Sequence, residues 1–396
     1  MLPFFDSDHS ALREQVRDWL SSARREARGK SSGALSETLS HQAALETRAV
    51  KLVRELGAAG FLKYAVPAEF GGVRQKVQAR DLCILREEFA YGDALADVMF
   101  AMQALGSYPV ALAGTLEQKE RVLPAIARGE CIGAFAITEA EAGSDVASLQ
   151  TRAERKGDEY YLNGAKRFIS NAGIADSYVI FAATDPEKKG KGISAFWVEA
   201  KHPGLLVKER IELLSPHPIG VIELRDCVVT RQALVGGEGD GLRIAFETLD
   251  LLRCTVGAAA VGLARRALDE AIDYSKKRRQ FGRAIAEFQG IEFKLAEMAT
   301  ELEAARLLVY QAAWVHDSTD AEAKQKSSMA KFYATEAAQR IVDQALQIHG
   351  GSGLIAGSIM ERLYRDVRAL RIYEGTSEIH KVIIARGLLA KSRIED

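Results

Sequence analysis

The chain of 396 residues is 47% hydrophobic and 27% charged, with 53 basic against 54 acidic side chains and a formal charge of −1. These proportions exclude a disordered chain, and the balanced charge argues against a nucleic-acid binder held by phosphate contacts. The length predicts about two to three domains and a sizeable core.

The N-terminus carries acids from Asp6 onward and lacks an apolar stretch, so it reads as neither a signal nor a transit peptide. No uninterrupted apolar run approaches the roughly 18–20 residues of a membrane span. The expected location is cytoplasmic, in a bacterium, without membrane insertion, and the mitochondrial matrix stays open for a mature chain. Residues 7–128 read mainly helical, interrupted by the turn VPAEFGG (66–72), with GKSSG (29–33) as a loop. The middle of the chain changes character. CIGAFAIT, EYYL, YVIFAAT, ISAFWVE and VIELRDCVV are short, rich in β-branched and aromatic residues, and separated by Gly, Asp, Asn and Pro turns.

All eight prolines lie at or before Pro218, and residues 219–396 contain none. There the apolar positions recur at helical spacing: Leu242, Ala245, Leu249, Leu252 and Val256; Ile291, Leu295, Met298 and Leu302; Ala330, Ala334, Ala337 and Ile341. This predicts three long amphipathic helices and a shorter fourth after Gly375, arranged as a bundle. The fold class is therefore α+β, with an N-terminal helical domain (1–128), a middle β-barrel or sandwich domain (129–235) and a C-terminal four-helix bundle (236–396).

Cys83, Cys131, Cys227 and Cys254 are dispersed, and the seven histidines form no H-E-x-x-H pair, so neither a disulfide framework nor a metal site is expected. GGEGDG (236–241) lacks a leading strand and reads as a turn, which removes support for a nicotinamide-binding Rossmann unit. TEAEAGSD (138–145) follows a strand and offers backbone N–H groups and the Thr138 and Ser144 hydroxyls to a polar ligand; an ordinary solvated turn is the alternative. GAKRFISNAG (164–173) places Ser170 and Asn171 beside an aromatic residue at a strand end.

In RIYEGTSEI (371–379), Glu374 is flanked by Ile372 and Tyr373 just ahead of the last helix. A carboxylate desolvated there would have the raised pKa that a general base for carbon acids needs. A helix-terminal acid with Thr376 or Ser377 as the cap is the other reading. KKRRQFG (276–282) is either a solvated basic run or a pyrophosphate contact. QIHGGSG (347–353) is either a glycine C-cap, with His349 packed or capping, or a close backbone approach to a ligand.

Taken together and in this order, VPAEFGG, TEAEAGSD, GAKRFISNAG, RRQFG, QIHGGSG and RIYEGTSEI resemble the acyl-CoA dehydrogenase family of flavoproteins over nearly the whole chain. The resemblance implies non-covalent FAD, with its isoalloxazine between the β domain and the C-terminal bundle. It places Phe135, Thr138 and Ser144 along the flavin and the neighbouring CoA pantetheine, Phe168 against the flavin, and Ser170 near N5. Arg278, Gln280, Phe281 and Gln289, with Gln347, Gly350 and Gly351, would meet FAD from an adjacent subunit. Thr376 and Glu378 would approach the nucleotide end. Such split sites require at least a dimer, and the resemblance implies a homotetramer, a dimer of dimers.

The resemblance also makes Glu374 the catalytic base. Some members carry this base within the segment that here reads LDLLR (249–253), where Leu252 cannot take a proton. Asp250, Arg253, Tyr373, Gly375, Ser144, Met99 and Met102 would contact the acyl-CoA. The implied reaction removes the α-proton while hydride leaves the β-carbon for flavin N5, giving a trans-2-enoyl-CoA. The thioester oxygen would be held by the Glu374 backbone N–H and a ribityl hydroxyl, and electrons would pass to an electron-transferring flavoprotein. An oxidase using oxygen, an enoyl-CoA reductase and a DNA-associated non-catalytic member are the alternatives on the same fold.

Three departures stand out: Ala140 where proline is common, LLSPHPIG (213–220) in place of the usual Gly-Arg/Ser loop, and no arginine in 98–102. The last argues against a dicarboxylyl substrate and predicts a neutral, apolar acyl pocket.

Overall fold

The computed structural model describes residues 4–29, 41–318 and 322–391; past Gly29, the expected loop at 29–33 lies outside them, as do residues 392–396. Among the described residues five α-helices come first: α1 (Ser7–Gly29), α2 (His41–Ala58), α3 (Ala79–Gly92), α4 (Ala94–Ala113) and α5 (Leu116–Ala127). Eight strands follow: β1 (Gly133–Ala136), β2 (Arg152–Lys156), β3 (Glu159–Ser170), β4 (Ser177–Ala183), β5 (Ile193–Glu199), β6 (Leu205–Arg210), β7 (Ile219–Thr230) and β8 (Leu234–Val235). The rest of the described residues are mainly helical, with α6 (Gly241–Lys277), a small hairpin of β9 (Arg279–Gln280) and β10 (Arg283–Ala284), α7 (Gln289–Asp317), α8 (Ala323–His349), α9 (Ile359–Ala369) and α10 (Ser377–Lys391). The order is helices, strands, helices, as the alternation of patterns predicts. β2 and β6 escape the sequence reading because RAERK and LLVKER each bury a single residue and show no clear alternation.

The chain groups into two compact units, and α4 and α6 each contribute residues to both. One unit comprises Ser32–Val77 and Val98–Leu249. Its strands form one sheet in the order β6-β7-β3-β2-β4-β5-β8, with β1 added parallel to β4. Most pairings are antiparallel, and β2 meets β4 in parallel at Arg152 and Ala183. Val110, Leu123, Ile126, Phe181, Ala195, Val235 and Ile244 pack into the core beneath it. Gly106 and Gly133 let helix and strand backbones nearly touch, since a Cβ at Gly106 would lie 2.6 Å from the Gly133 carbonyl carbon. The α5 N-terminus carries a capping box in which Thr115 and Gln118 exchange bonds of 3.2 and 3.0 Å. The Gln118 side chain also donates 2.8 Å to Gln232 O, tying α5 to the loop before β8.

Helix α4 has the length and composition to cross a membrane, yet 72% of its most apolar window is buried inside the protein. Asp97 and Gln103 interrupt its apolar run. Gln103 is a structural bridge, donating to Cys131 O at 2.8 Å and accepting from Gly133 N at 3.0 Å.

The other unit comprises Met1–Ser31, Gln78–Asp97 and Asp250–Asp396. A buried charge network ties its elements together. Glu87 and Glu88 on α3 are fully buried, where an unpaired carboxylate would be prohibitively costly. Glu87 accepts from Arg265 at 2.8 Å, from Arg306 at 2.5 Å and from the Tyr310 hydroxyl at 2.5 Å. Glu88 accepts from Arg13 at 2.7 Å, Arg17 at 3.1 Å and Arg265 at 2.6 Å. Two carboxylates thus connect α1, α3, α6 and α7. Burial pushes the Glu87 pKa up, but Arg13, Arg306, Arg265 and Tyr310 outweigh it and hold the carboxyl at about 2.

Because that value lies below the ordinary 4.5, the stabilisation is fully present above the unfolded pKa and is lost as pH falls from about 4.5 toward 2. Glu87→Ala leaves three guanidinium groups without their shared partner and is expected to cost about 3–5 kcal/mol. Urea unfolding at neutral pH and at pH 3 checks both statements, the gap between wild type and variant narrowing at the lower pH.

Candidate active site

After α9 the chain turns through Glu374 (φ 53°) and Gly375 (φ 98°) before α10 begins. A left-handed glutamate costs on the order of 1–2 kcal/mol, so the surroundings must hold it. Lys331 on α8 donates from Nζ to Gly375 O at 2.6 Å. Ser377 donates 2.6 Å to Glu336, which also accepts from Arg371 at 2.8 Å, so both flanks of the turn are fastened to α8. On the other side a Cβ on Gly375 would sit 3.1 Å from Nε2 of the buried His380. The positive φ favours glycine at that position, and an added side chain would need His380 to give by a few tenths of an ångström.

Glu374 Oε2 is buried and has no hydrogen-bond partner. Burial pushes its carboxyl pKa above the ordinary value; Arg86, Lys331 and Arg253 oppose the rise, and Asp97 adds to it. Those groups are themselves constrained. Arg86 forms a bidentate pair with Asp97 at 2.8 and 3.0 Å and donates 3.0 Å to Thr255. Arg253 pairs with Asp250 one turn earlier on α6, and its Nε is left unpartnered. Burial brings Lys331 down to about 8, and burial with the charges of Lys331 and Arg253 brings His380 to about 3. His380 is thus neutral near pH 7 and a weak base there. The site offers one carboxyl able to accept a proton, surrounded by fixed positive charge.

Arg86, Asp97, Lys331 and His380 are not recoverable from the sequence pattern. LREEFAYG and AKFYATE read as ordinary charged faces of amphipathic helices, and only packing buries these residues. The surroundings of Glu374 are accordingly charged. Within the predicted acyl-contact segment, Met99 is fully buried and Met102 keeps part of its surface. Tyr373 is half-buried, with its phenol pKa raised by burial. Thr376 Oγ1 accepts from Ile379 N at 3.4 Å, as a helix cap does, and Glu378 is exposed.

In the sheet-containing unit the β3 end is irregular. The β3–β7 register shifts between Lys166 and Ile169, and Phe168 (φ 56°) and Asn171 (φ 65°) are left-handed. Phe168 is thereby 49% exposed while Ile169 is buried. Asn171 Nδ2 donates 2.8 Å to Gly133 O, and Ser170 Oγ lies 3.1 Å from His217 Nε2. In TEAEAGSD, Thr138 is half-buried and Ser144 exposed, while Phe135 packs on Phe181 with centroids 4.8 Å apart. Glu139 is structural, accepting from Gln150 N, Thr151 N and Lys166 Nζ.

The basic run after α6 forms the β9–β10 hairpin, whose tip residue Phe281 (φ 50°) is 94% exposed. Arg278, Gln280, Gln289, Gln347, Gly350 and Gly351 are all exposed. Open space surrounds both glycines, with nothing within 4 Å of an added Cβ. His349 bonds Ala345 O at 2.8 Å and stacks on Tyr274, as a packed, capping histidine does.

The acyl-CoA dehydrogenase N-terminal, middle and C-terminal domain models match residues 6–130, 134–227 and 239–389. The chain belongs to the acyl-CoA dehydrogenase family. Within this family it is 42% identical over 343 residues to the 3-(aryl)acrylate reductase of Clostridium sporogenes, covering 86% of this chain and 90% of that protein. It is 41% identical over 341 residues to an acyl-CoA dehydrogenase of Bacillus subtilis, covering 86% and 89%. The caffeyl-CoA reductase–Etf complex subunit CarC of Acetobacterium woodii is 40% identical over 349 residues, covering 86% and 90%.

Among solved structures, butyryl-CoA dehydrogenase from Megasphaera elsdenii superposes with a TM-score of 0.87 at 32% identity, covering 97% and 99% of the two chains. An acyl-CoA dehydrogenase complexed with FAD from Bacillus anthracis gives 0.85 at 31%, covering 99% and 68%. The protein has the three-domain fold of these oxidoreductases.

Lys331→Met removes a positive charge that favours the Glu374 carboxylate, so Glu374 is expected to titrate at higher pH than in wild type. Infrared difference titration of the carboxylate band reads the shift, and an unchanged midpoint would contradict the electrostatic account.

Proposed function

We propose that the protein is an FAD-dependent acyl-CoA dehydrogenase, converting an acyl-CoA thioester to its trans-2-enoyl-CoA with Glu374 as the α-proton-abstracting base. The observation that carries this reading is the Glu374 carboxyl itself, with a buried, unpartnered Oε2 and a pKa raised by burial in a turn secured on both flanks. In water a carboxylate is too weak a base for a thioester α-proton; desolvation makes it more basic and narrows the gap. Arg86, Lys331 and Arg253 limit the rise and so keep the carboxyl ionisable. The Glu374 backbone N–H would donate to the thioester oxygen, where negative charge develops. Asp250, Arg253, Tyr373, Gly375, Ser144 and Met102 would contact the substrate.

The residues present suit FAD. Phe168 offers an exposed aromatic face at a bulged strand end, Arg278 and Gln280 offer donors, and Gly350 and Gly351 leave open backbone. Phe135, Thr138, Ser170, Phe281, Gln289, Gln347, Thr376 and Glu378 complete the proposed set. When bound, FAD supplies the acceptor for hydride from the substrate β-carbon. The FAD complex of the Bacillus anthracis relative supports this assignment.

An electron-transferring flavoprotein is the proposed electron partner, supported by the Etf-complex relative. Relatives named as reductases favour a second reading in which the same site reduces an α,β-unsaturated acyl group, and the caffeyl-CoA reductase name points to its CoA thioester. Bacterial relatives support a cytoplasmic location. Phe281, Phe293, Leu354, Ile355 and Leu388 are exposed apolar side chains of the helical unit, and a homotetramer is the proposed assembly that would cover them.

The purified protein is expected to show flavin absorbance, and anaerobic titration with saturated acyl-CoAs to bleach it; bleaching by none of a broad panel would sink the dehydrogenase reading. Reoxidation of the reduced enzyme by enoyl-CoAs tests the reductase direction. Glu374→Gln is expected to retain FAD while the bleaching rate falls at least about a hundredfold, and near-normal turnover would remove Glu374 as the base. Sedimentation velocity reads the oligomer.

A further inference from the structure

The segment 213–220 holds a histidine between two prolines, Pro216-His217-Pro218. Each proline fixes its own φ, and Pro218 pushes the preceding His217 toward extended conformations. Pro218 O accepts from Asn171 N at 2.8 Å, and Ile219 pairs with Ser170 in the β3–β7 ladder. The imidazole is therefore held beside Ser170 with little backbone freedom, and it is buried.

The hydrogen bonds determine its tautomer. Nδ1 lies 3.2 Å from Ser215 O, and a carbonyl oxygen only accepts, so Nδ1 carries the proton. Burial lowers the ring's pKa, so the imidazole stays neutral near pH 7. Nε2 then has only a lone pair, and the Ser170 hydroxyl 3.1 Å away must donate to it. With its one proton committed, Ser170 Oγ presents only lone pairs to any further partner.

We propose that His217 is a positioning residue that fixes Ser170 as a hydrogen-bond acceptor toward the flavin and thereby favours the reduced cofactor. This rests on the proposed placement of Ser170 near flavin N5. Oxidised N5 carries a lone pair, and reduced N5 carries an N–H. A hydroxyl free to rotate can donate to the first or accept from the second; Ser170 locked by His217 can only accept. It therefore repels the oxidised form and bonds the reduced one, which makes the cofactor a better hydride acceptor. Neither residue gains or loses an atom in the reaction.

The test is a spectroelectrochemical titration of the flavin-loaded wild type, His217→Leu, Ser170→Ala and the double variant. His217→Leu is expected to lower the midpoint, with the reduced-to-oxidised ratio at a fixed potential falling about tenfold, which is about 30 mV for a two-electron couple. In the Ser170→Ala background the same substitution is expected to change nothing further. An unaltered midpoint in His217→Leu, or an undiminished shift in the double variant, overturns the inference and leaves FAD binding standing. Independently of how the variants fold, 15N NMR of the wild-type holoenzyme is expected to show the Nδ1–H tautomer for His217, and an Nε2–H tautomer overturns the inference. A wild-type protein without flavin absorbance after reconstitution overturns the cofactor assignment, and the inference with it.

Discussion

A buried carboxyl group that must stay ionisable is the constraint on which the proposed chemistry depends. Glu374 Oε2 has no partner, so burial favours its protonated form. Three cations counter that tendency, and two of them are held away from direct contact by bonds of their own: Arg86 is spent on Asp97 and Thr255, and Lys331 on Gly375 O. A direct ion pair with Glu374 would lower its pKa and occupy the lone pair the reaction needs. Charge close enough to be felt but committed elsewhere leaves the carboxyl both ionisable and basic.

The same logic of buried charge shapes the helical unit more widely. Glu87 and Glu88 gather Arg13, Arg17, Arg265 and Arg306, so α1 is joined to α3, α6 and α7 by groups that cannot be left unpaired. Arg86 adjoins Glu87 in sequence and serves the Glu374 surroundings, so one turn of α3 contributes to both networks. Replacements in this turn therefore affect stability and the candidate base together. In the sheet-containing unit the comparable device is the bulge at the end of β3. It exposes Phe168, buries Ile169 and leaves Ser170 beside a histidine held by two prolines.

Much of the architecture was legible because it follows from local rules. Helical spacing in the proline-free stretch marked α6, α7 and α8, and β-branched clusters marked β1, β3, β4, β5 and β7. The six ordered motifs marked the family, now supported by matches to all three of its domain models. β2 and β6 were missed because each buries one residue and so carries no period-two pattern. Helix α9 was missed because it is short and follows the glycine-rich 350–357 stretch.

For the candidate site, the sequence by itself marked Glu374 as the proposed base, with its glycine neighbour and the polar and aromatic residues of the strand turns, since each sits in a contiguous motif. Tertiary structure alone decided what surrounds them. Arg86, Asp97, Thr255, Lys331 and His380 come from α3, α4, α6, α8 and α10, and each looks like an ordinary helix residue in its own segment. The His217–Ser170 contact likewise spans 47 positions and exists only through the β3–β7 register. The reason is physical: a motif records local backbone and side-chain needs, whereas a pKa or a tautomer depends on charges and dipoles that folding gathers from distant parts of the chain.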